Sequence, residues 1–107
     1  MIDEALKNSC NLVNFIDYQN SAIVSKTIIQ NSSGTITLFA FDKGQSLSEH
    51  TAPFDAFVMV LDGNFTITIG GHEHTVAAGG ALIMPANVPH AVVAIEKAKM
   101  LLVMIKG

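Results

Sequence analysis

Residues 56–76 read AFVMVLDGNFTITIGGHEHTV. At their centre, Phe65-Thr66-Ile67-Thr68-Ile69 places its apolar side chains on one face and both threonines on the other, the period of a half-buried β-strand. Asp62-Gly63 on one side and Gly70-Gly71 on the other suit tight turns that need positive φ. Ala56–Leu61, Phe65–Ile69 and His72–Val76 therefore read as a three-stranded meander.

The same texture continues outward in both directions. Ala22–Ile29, Thr35–Phe41, Ala81–Met84, His90–Ile95 and Met100–Ile105 are short apolar or alternating runs. They are separated by Ser32-Ser33-Gly34, Asp42-Lys43-Gly44 and Ala78-Gly79-Gly80. Many short strands punctuated by glycine turns predict an all-β sandwich or closed barrel. Helix is expected only at the start, where Asp3 can cap a turn through Glu4–Asn8 that is too short to stand alone. The 107 residues form one domain, an extension over 1–21 followed by a barrel over about 22–106.

Composition narrows the class. Half the residues are hydrophobic and 14% are charged, which excludes a disordered chain. The longest apolar runs, Ala56–Leu61 and Met100–Ile105, have six residues, against about 20 for a membrane-spanning helix. Asp3 and Glu4 stand where a signal peptide would carry positive charge. Cys10 is the single cysteine and has no internal disulfide partner. A cytoplasmic protein is the expectation. The net charge is −3 and all six basic residues are lysines, so bidentate arginine contacts to phosphate or guanine are absent and nucleic acid is not an expected partner. Ala56–Leu61 and Met100–Ile105 are apolar on both faces and need a second layer or a partner subunit. Ala22–Ile29 and Met100–Ile105 offer more apolar positions than one barrel buries on its inner face, which predicts a homodimer.

From Gly44 onward the chain resembles the cupins, small jelly-roll barrels defined by two motifs. The first runs from a glycine through five residues to His-x-His, then a glutamate, and closes on a glycine. Gly44, five residues, His50 and the closing Gly63 match it. The second runs from a glycine through five residues to Pro-x-Gly-x-x-His, and Gly79, Pro85, Asn87 and His90 stand at those places. The run MPANVPHA is typical of small bacterial cupins. Ala52 replaces the second motif histidine, Ala56 or Phe57 falls where the glutamate belongs, and Ala94 replaces a final asparagine. Of the four metal ligands the resemblance implies, His50 and His90 are present.

Two imidazoles alone hold a metal poorly, and strand counting nominates His74 as a third. His72, His74 and Val76 share a face, and Val76 is expected to point inward. A nitrogen-only set of His50, His90 and His74 would favour a divalent transition metal (zinc, nickel, iron or copper) over magnesium or calcium. Without a metal, His50 and His90 would hydrogen-bond one another, a water or an anionic ligand. Asp55, Glu49 and Glu73 are expected to face solvent, and Lys97 and Lys99 to form a solvated turn.

Phe39, Phe54, Met59, Met84 and Met100 supply large, adaptable side chains for the wall of a pocket. Phe57 and Met104 are further candidates. The function expected is binding of a small molecule in an apolar pocket with His50 and His90 as polar contacts. The alternative implied by the resemblance is a metal-dependent dioxygenase, isomerase or decarboxylase. Fold alone does not choose between them. A detached sensor domain is a third reading, since cupins are often joined to DNA-binding helices and the first 21 residues hold no helix-turn-helix.

Overall fold

A computed structural model describes residues 1–106. Nine strands follow one another: β1 Ile23–Asn31, β2 Gly34–Phe41, β3 Ser46–His50, β4 Asp55–Asp62, β5 Asn64–Ile69, β6 His72–Ala77, β7 Ala81–Met84, β8 His90–Ala94 and β9 Ala98–Ile105. All pairings are antiparallel. They build one five-stranded sheet, ordered β1-β2-β9-β4-β7, and one four-stranded sheet, ordered β3-β8-β5-β6. The architecture is an all-β jelly roll. No helix among the described residues is long and apolar enough to cross a membrane.

The three runs of residues 56–76 are strands β4, β5 and β6, but they do not form the expected meander: β5 and β6 pair as a hairpin, while β4 crosses to the other sheet and pairs with β7 and β9. Gly63 turns the corner with φ 69°, and a Cβ there would collide with the Lys97 carbonyl, so glycine is required twice over. Strand β3 departs from the sequence reading. Its sequence, SLSEH, carries only Leu47 as an apolar residue and holds its place by pairing with β8 rather than by burial.

Between the sheets lies the main core, in which Phe41, Val58, Val60, Phe65, Ile67 and Val92 are buried. Phe41 and Phe65 meet edge to face at 5.0 Å, the geometry preferred by aromatic quadrupoles. Strand β4 alternates strictly. Ala56, Val58 and Val60 face this core, so Phe57 and Met59 face outward and are 40% and 36% exposed. Met59 is therefore not a pocket residue, because period two sends it to the opposite side of the sheet from Val58. Phe39 does point inward, but packs beside Phe41 at 6.1 Å rather than in the pocket wall.

The second layer that the two-faced strands require comes partly from the chain's own start. Asp3 caps a short 3-10 turn over Glu4–Lys7 by accepting the Ala5 N–H at 3.0 Å. A second such turn covers Leu12–Asn14. Leu6, Leu12, Phe15, Ile16 and Tyr18 then pack on Ile28, Leu38 and Ala40, on the outer side of β1 and β2. Tyr18 donates its hydroxyl to Asp62 at 2.6 Å, and burial, followed by this hydrogen bond, pushes the phenol pKa well up. Lys99 is buried here, not solvated. Its ammonium donates to the Val13 carbonyl and lies over the Tyr18 ring at 4.8 Å.

Candidate functional site

His50 ends β3 and His90 opens β8, and the sheet register sets them directly opposite one another. Directly opposed residues of an antiparallel pair project to the same side. The two rings stand at 68° with their Nε2 atoms 3.1 Å apart. His90 is buried and His50 is exposed, so the pair sits at a mouth between core and solvent.

Each ring is also held from behind. His50 Nδ1 lies 2.8 Å from the Ser48 carbonyl, and His90 Nδ1 lies 3.3 Å from the Val88 carbonyl. A carbonyl only accepts, so the short contact fixes the proton of neutral His50 on Nδ1 and leaves its Nε2 as a bare acceptor. His90, with the weaker contact behind it, donates its Nε2–H to that acceptor. Burial pushes the His90 pKa down, against the Val88 carbonyl, which raises it, and with a smaller lowering effect of the neighbouring His50 charge.

A loop clamp holds this end of the barrel. Asn87 adopts φ 64° and donates its N–H to the Ala52 carbonyl at 2.8 Å. Asp55 accepts the Ala86 N–H at 2.8 Å. Asp55 is exposed, as its place at a strand start suggested, and its carboxylate braces the Pro85–Asn87 turn.

Below the imidazoles is a cavity of about 60 Å³. Phe54, Met84, Met100 and Met104 line it, as the sequence suggested. Leu47, Ala52, Ala56, Val92 and Leu102 also line it and were not anticipated as wall residues. Ala52 and Ala56 stand where the motif has its second histidine and its glutamate, so the room comes from side chains this chain lacks. That signal was present in the sequence as a substitution pattern. A cavity of about 150 Å³ admits benzene, so one of this size takes a few non-hydrogen atoms before the methionines move. Three larger depressions, of about 380, 190 and 130 Å³, are open and contain no histidine.

His74 is not part of this site. It pairs with Ile67 and shares that residue's side of the sheet, but β6 is the sheet edge and its side chain is exposed. Two strand spacings, roughly 10 Å, separate β6 from β8, and β3 lies one further away. His72 is exposed on the same edge. No group of three or more His, Cys, Asp or Glu able to hold a metal occurs among the described residues. The side chains present do not fit the four-ligand centre the motif implies: two nitrogens converge, and the carboxylate position is a methyl.

A model of the cupin domain matches residues 37–106. The chain belongs to the cupin family. Among solved structures it is similar to a conserved protein of unknown function from Streptococcus pyogenes, with 37% identity and a TM-score of 0.91 over 99% of this chain and 91% of that one. A cupin superfamily protein from Desulfitobacterium hafniense shares 25% identity at a TM-score of 0.90, covering 94% and 93% of the two chains. A cupin 2 conserved barrel domain protein from Leptotrichia buccalis shares 40% identity at 0.86, over 91% of this chain and 47% of that one. No curated protein matches the chain.

Proposed function

We propose that this cupin binds a compact, mostly apolar small molecule bearing one hydrogen-bond donor. The observation that carries the reading is the His50–His90 pair, Nε2 to Nε2 at 3.1 Å, set over a cavity walled otherwise by apolar side chains. A ligand N–H or O–H can replace the His90 N–H on His50 Nε2. A ligand hydroxyl oxygen can at the same time accept the His90 Nε2–H, so neither ring changes tautomer. An anion would meet the His50 lone pair and need a charged imidazole, which burial of His90 opposes.

Propan-2-ol and acetone differ little except in the donor, which makes them a matched pair of probes. Calorimetric or NMR titration should show the alcohol binding at least fivefold more tightly, with the preference lost in Ala52→Leu, which fills the cavity. Equal binding by wild type and Ala52→Leu would refute the pocket. Zinc, nickel, iron or copper would use the Nε2 atoms of both rings, displacing the His90 Nε2 proton, and a two-nitrogen grip without a carboxylate should hold any of them loosely.

A further inference from the structure

One wall residue of the cavity beneath the imidazoles differs from the others in both placement and exposure. All the lining residues except Ala52 and Phe54 stand on strands. Those two lie in the loop of residues 51–54 that joins β3 to β4. Phe54 is half-buried, so its ring meets the cavity on one side and solvent on another. Met84 and Met100 are 4% and 1% exposed, and a new rotamer for either needs room inside a packed core. Phe54 is the large apolar wall residue that lies off the strands and reaches water.

The loop that carries it is pinned. The Ala52 carbonyl accepts the Asn87 N–H at 2.8 Å, and the Asp55 carboxylate accepts the Ala86 N–H at 2.8 Å. Pro53, between these clamps, has a φ locked by its own ring. With the backbone held on both sides of Phe54, the freedom left is rotation of its side chain between staggered wells. From outside, the Lys106 ammonium lies over the Phe54 ring, 5.6 Å from its centroid. The Lys106 N–H donates to the Ser33 carbonyl at 2.7 Å, which fixes the base of that side chain. At an exposed site a cation over a ring biases an equilibrium about two- to fivefold.

We infer that Phe54 is the gate of the pocket: its ring fills the mouth around a small ligand, swings out to admit a six-membered ring, and is held shut by Lys106. The inference rests on the small-molecule reading above and adds to it the size and class of ligand. With the ring in, the cavity of about 60 Å³ suits a short alcohol. With the ring out, the vacated space is that of a benzene ring, and the joined volume approaches the roughly 150 Å³ that holds one. A cyclic alcohol then sets its ring where Phe54 stood and its hydroxyl on the imidazole pair.

Propan-2-ol and cyclohexanol carry the same secondary hydroxyl and differ in the ring, so together they test the gate. The Phe54 ring shields the Lys106 CεH2 protons, and Phe54→Leu identifies that upfield shift by abolishing it. In NMR spectra of the wild type the shift should persist with saturating propan-2-ol and vanish with saturating cyclohexanol. The ratio of cyclohexanol to propan-2-ol affinity should rise at least about tenfold in Phe54→Ala. It should rise about two- to fivefold in Lys106→Met, which keeps the stem and removes the charge. The wild-type spectra and Lys106→Met decide the matter even where Phe54→Ala is unstable. Cyclohexanol that binds with the Lys106 signals unmoved would overturn the gate, because the pocket then grows elsewhere. So would cyclohexanol that fails to bind the wild type, which makes Phe54 a fixed wall, or a ratio unchanged by both substitutions. Each of these results leaves the preference for propan-2-ol over acetone standing. Absence of that preference refutes the pocket itself, and the gate with it.

Discussion

Two pairs of histidines lie in the four-stranded sheet, and they differ in everything but residue type. His72 and His74 are two apart in sequence, on edge strand β6, and both are exposed. His50 and His90 are 40 apart in sequence, on adjacent strands, with their Nε2 atoms 3.1 Å apart above an apolar cavity. Closeness along a strand gives a shared face, but closeness across strands, backed by a second sheet, gives a site. The small residues Ala52 and Ala56 complete the difference by leaving room beneath one pair.

The largest test adds back what the sequence lacks. Ala52→His together with Ala56→Glu should raise affinity for zinc or nickel at least 100-fold over the wild type, measured by competition with a coloured chelator. Phe57→Glu in place of Ala56→Glu should not, because Phe57 faces outward. A smaller effect separates the pairs in the unaltered pocket. His50→Ala or His90→Ala should weaken propan-2-ol binding at least tenfold, while His72→Ala and His74→Ala leave it unchanged. In stability, His90→Ala should cost about 1–2 kcal/mol in urea unfolding through the lost ring packing and hydrogen bond, and His74→Ala less than about 0.5 kcal/mol.

The gentlest test uses protons. The His90 pKa is pushed down in the folded chain, so the unfolded chain takes up the proton more readily. Stability from this group is fully present above the ordinary histidine pKa and is lost as pH falls through the depressed value. Urea midpoints measured from pH 7.5 down to 5 should therefore fall, and the fall should be shallower in His90→Ala.

Most of the fold was legible because its signals are local. Gly63 and Gly70-Gly71 mark turns whose φ values are positive, and β7 occupies the predicted Ala81–Met84. Strand β3 was not legible, since SLSEH has neither alternation nor β-branched residues and depends on the register it shares with β8. In the site, motif spacing identified His50 and His90, whereas His74 was misplaced because its inward side belongs to an edge strand, open to solvent. Met59 failed for a different reason. An apolar run carries no mark of which alternate residues face the core, and β4 turns Ala56, Val58 and Val60 inward.

The account rests on which nitrogen of each ring carries the proton, and side-chain ¹⁵N–¹H correlation spectra near pH 7.5 read that directly. In the free protein His50 should be the Nδ1–H tautomer and His90 the Nε2–H tautomer. Saturating propan-2-ol should leave both tautomers in place and shift the His50 Nε2 and His90 Nε2–H signals together, while acetone, which only accepts, shifts the His90 Nε2–H alone. An Nε2–H tautomer at His50, or a His50 Nε2 signal that does not respond to the alcohol, would contradict the proposed recognition.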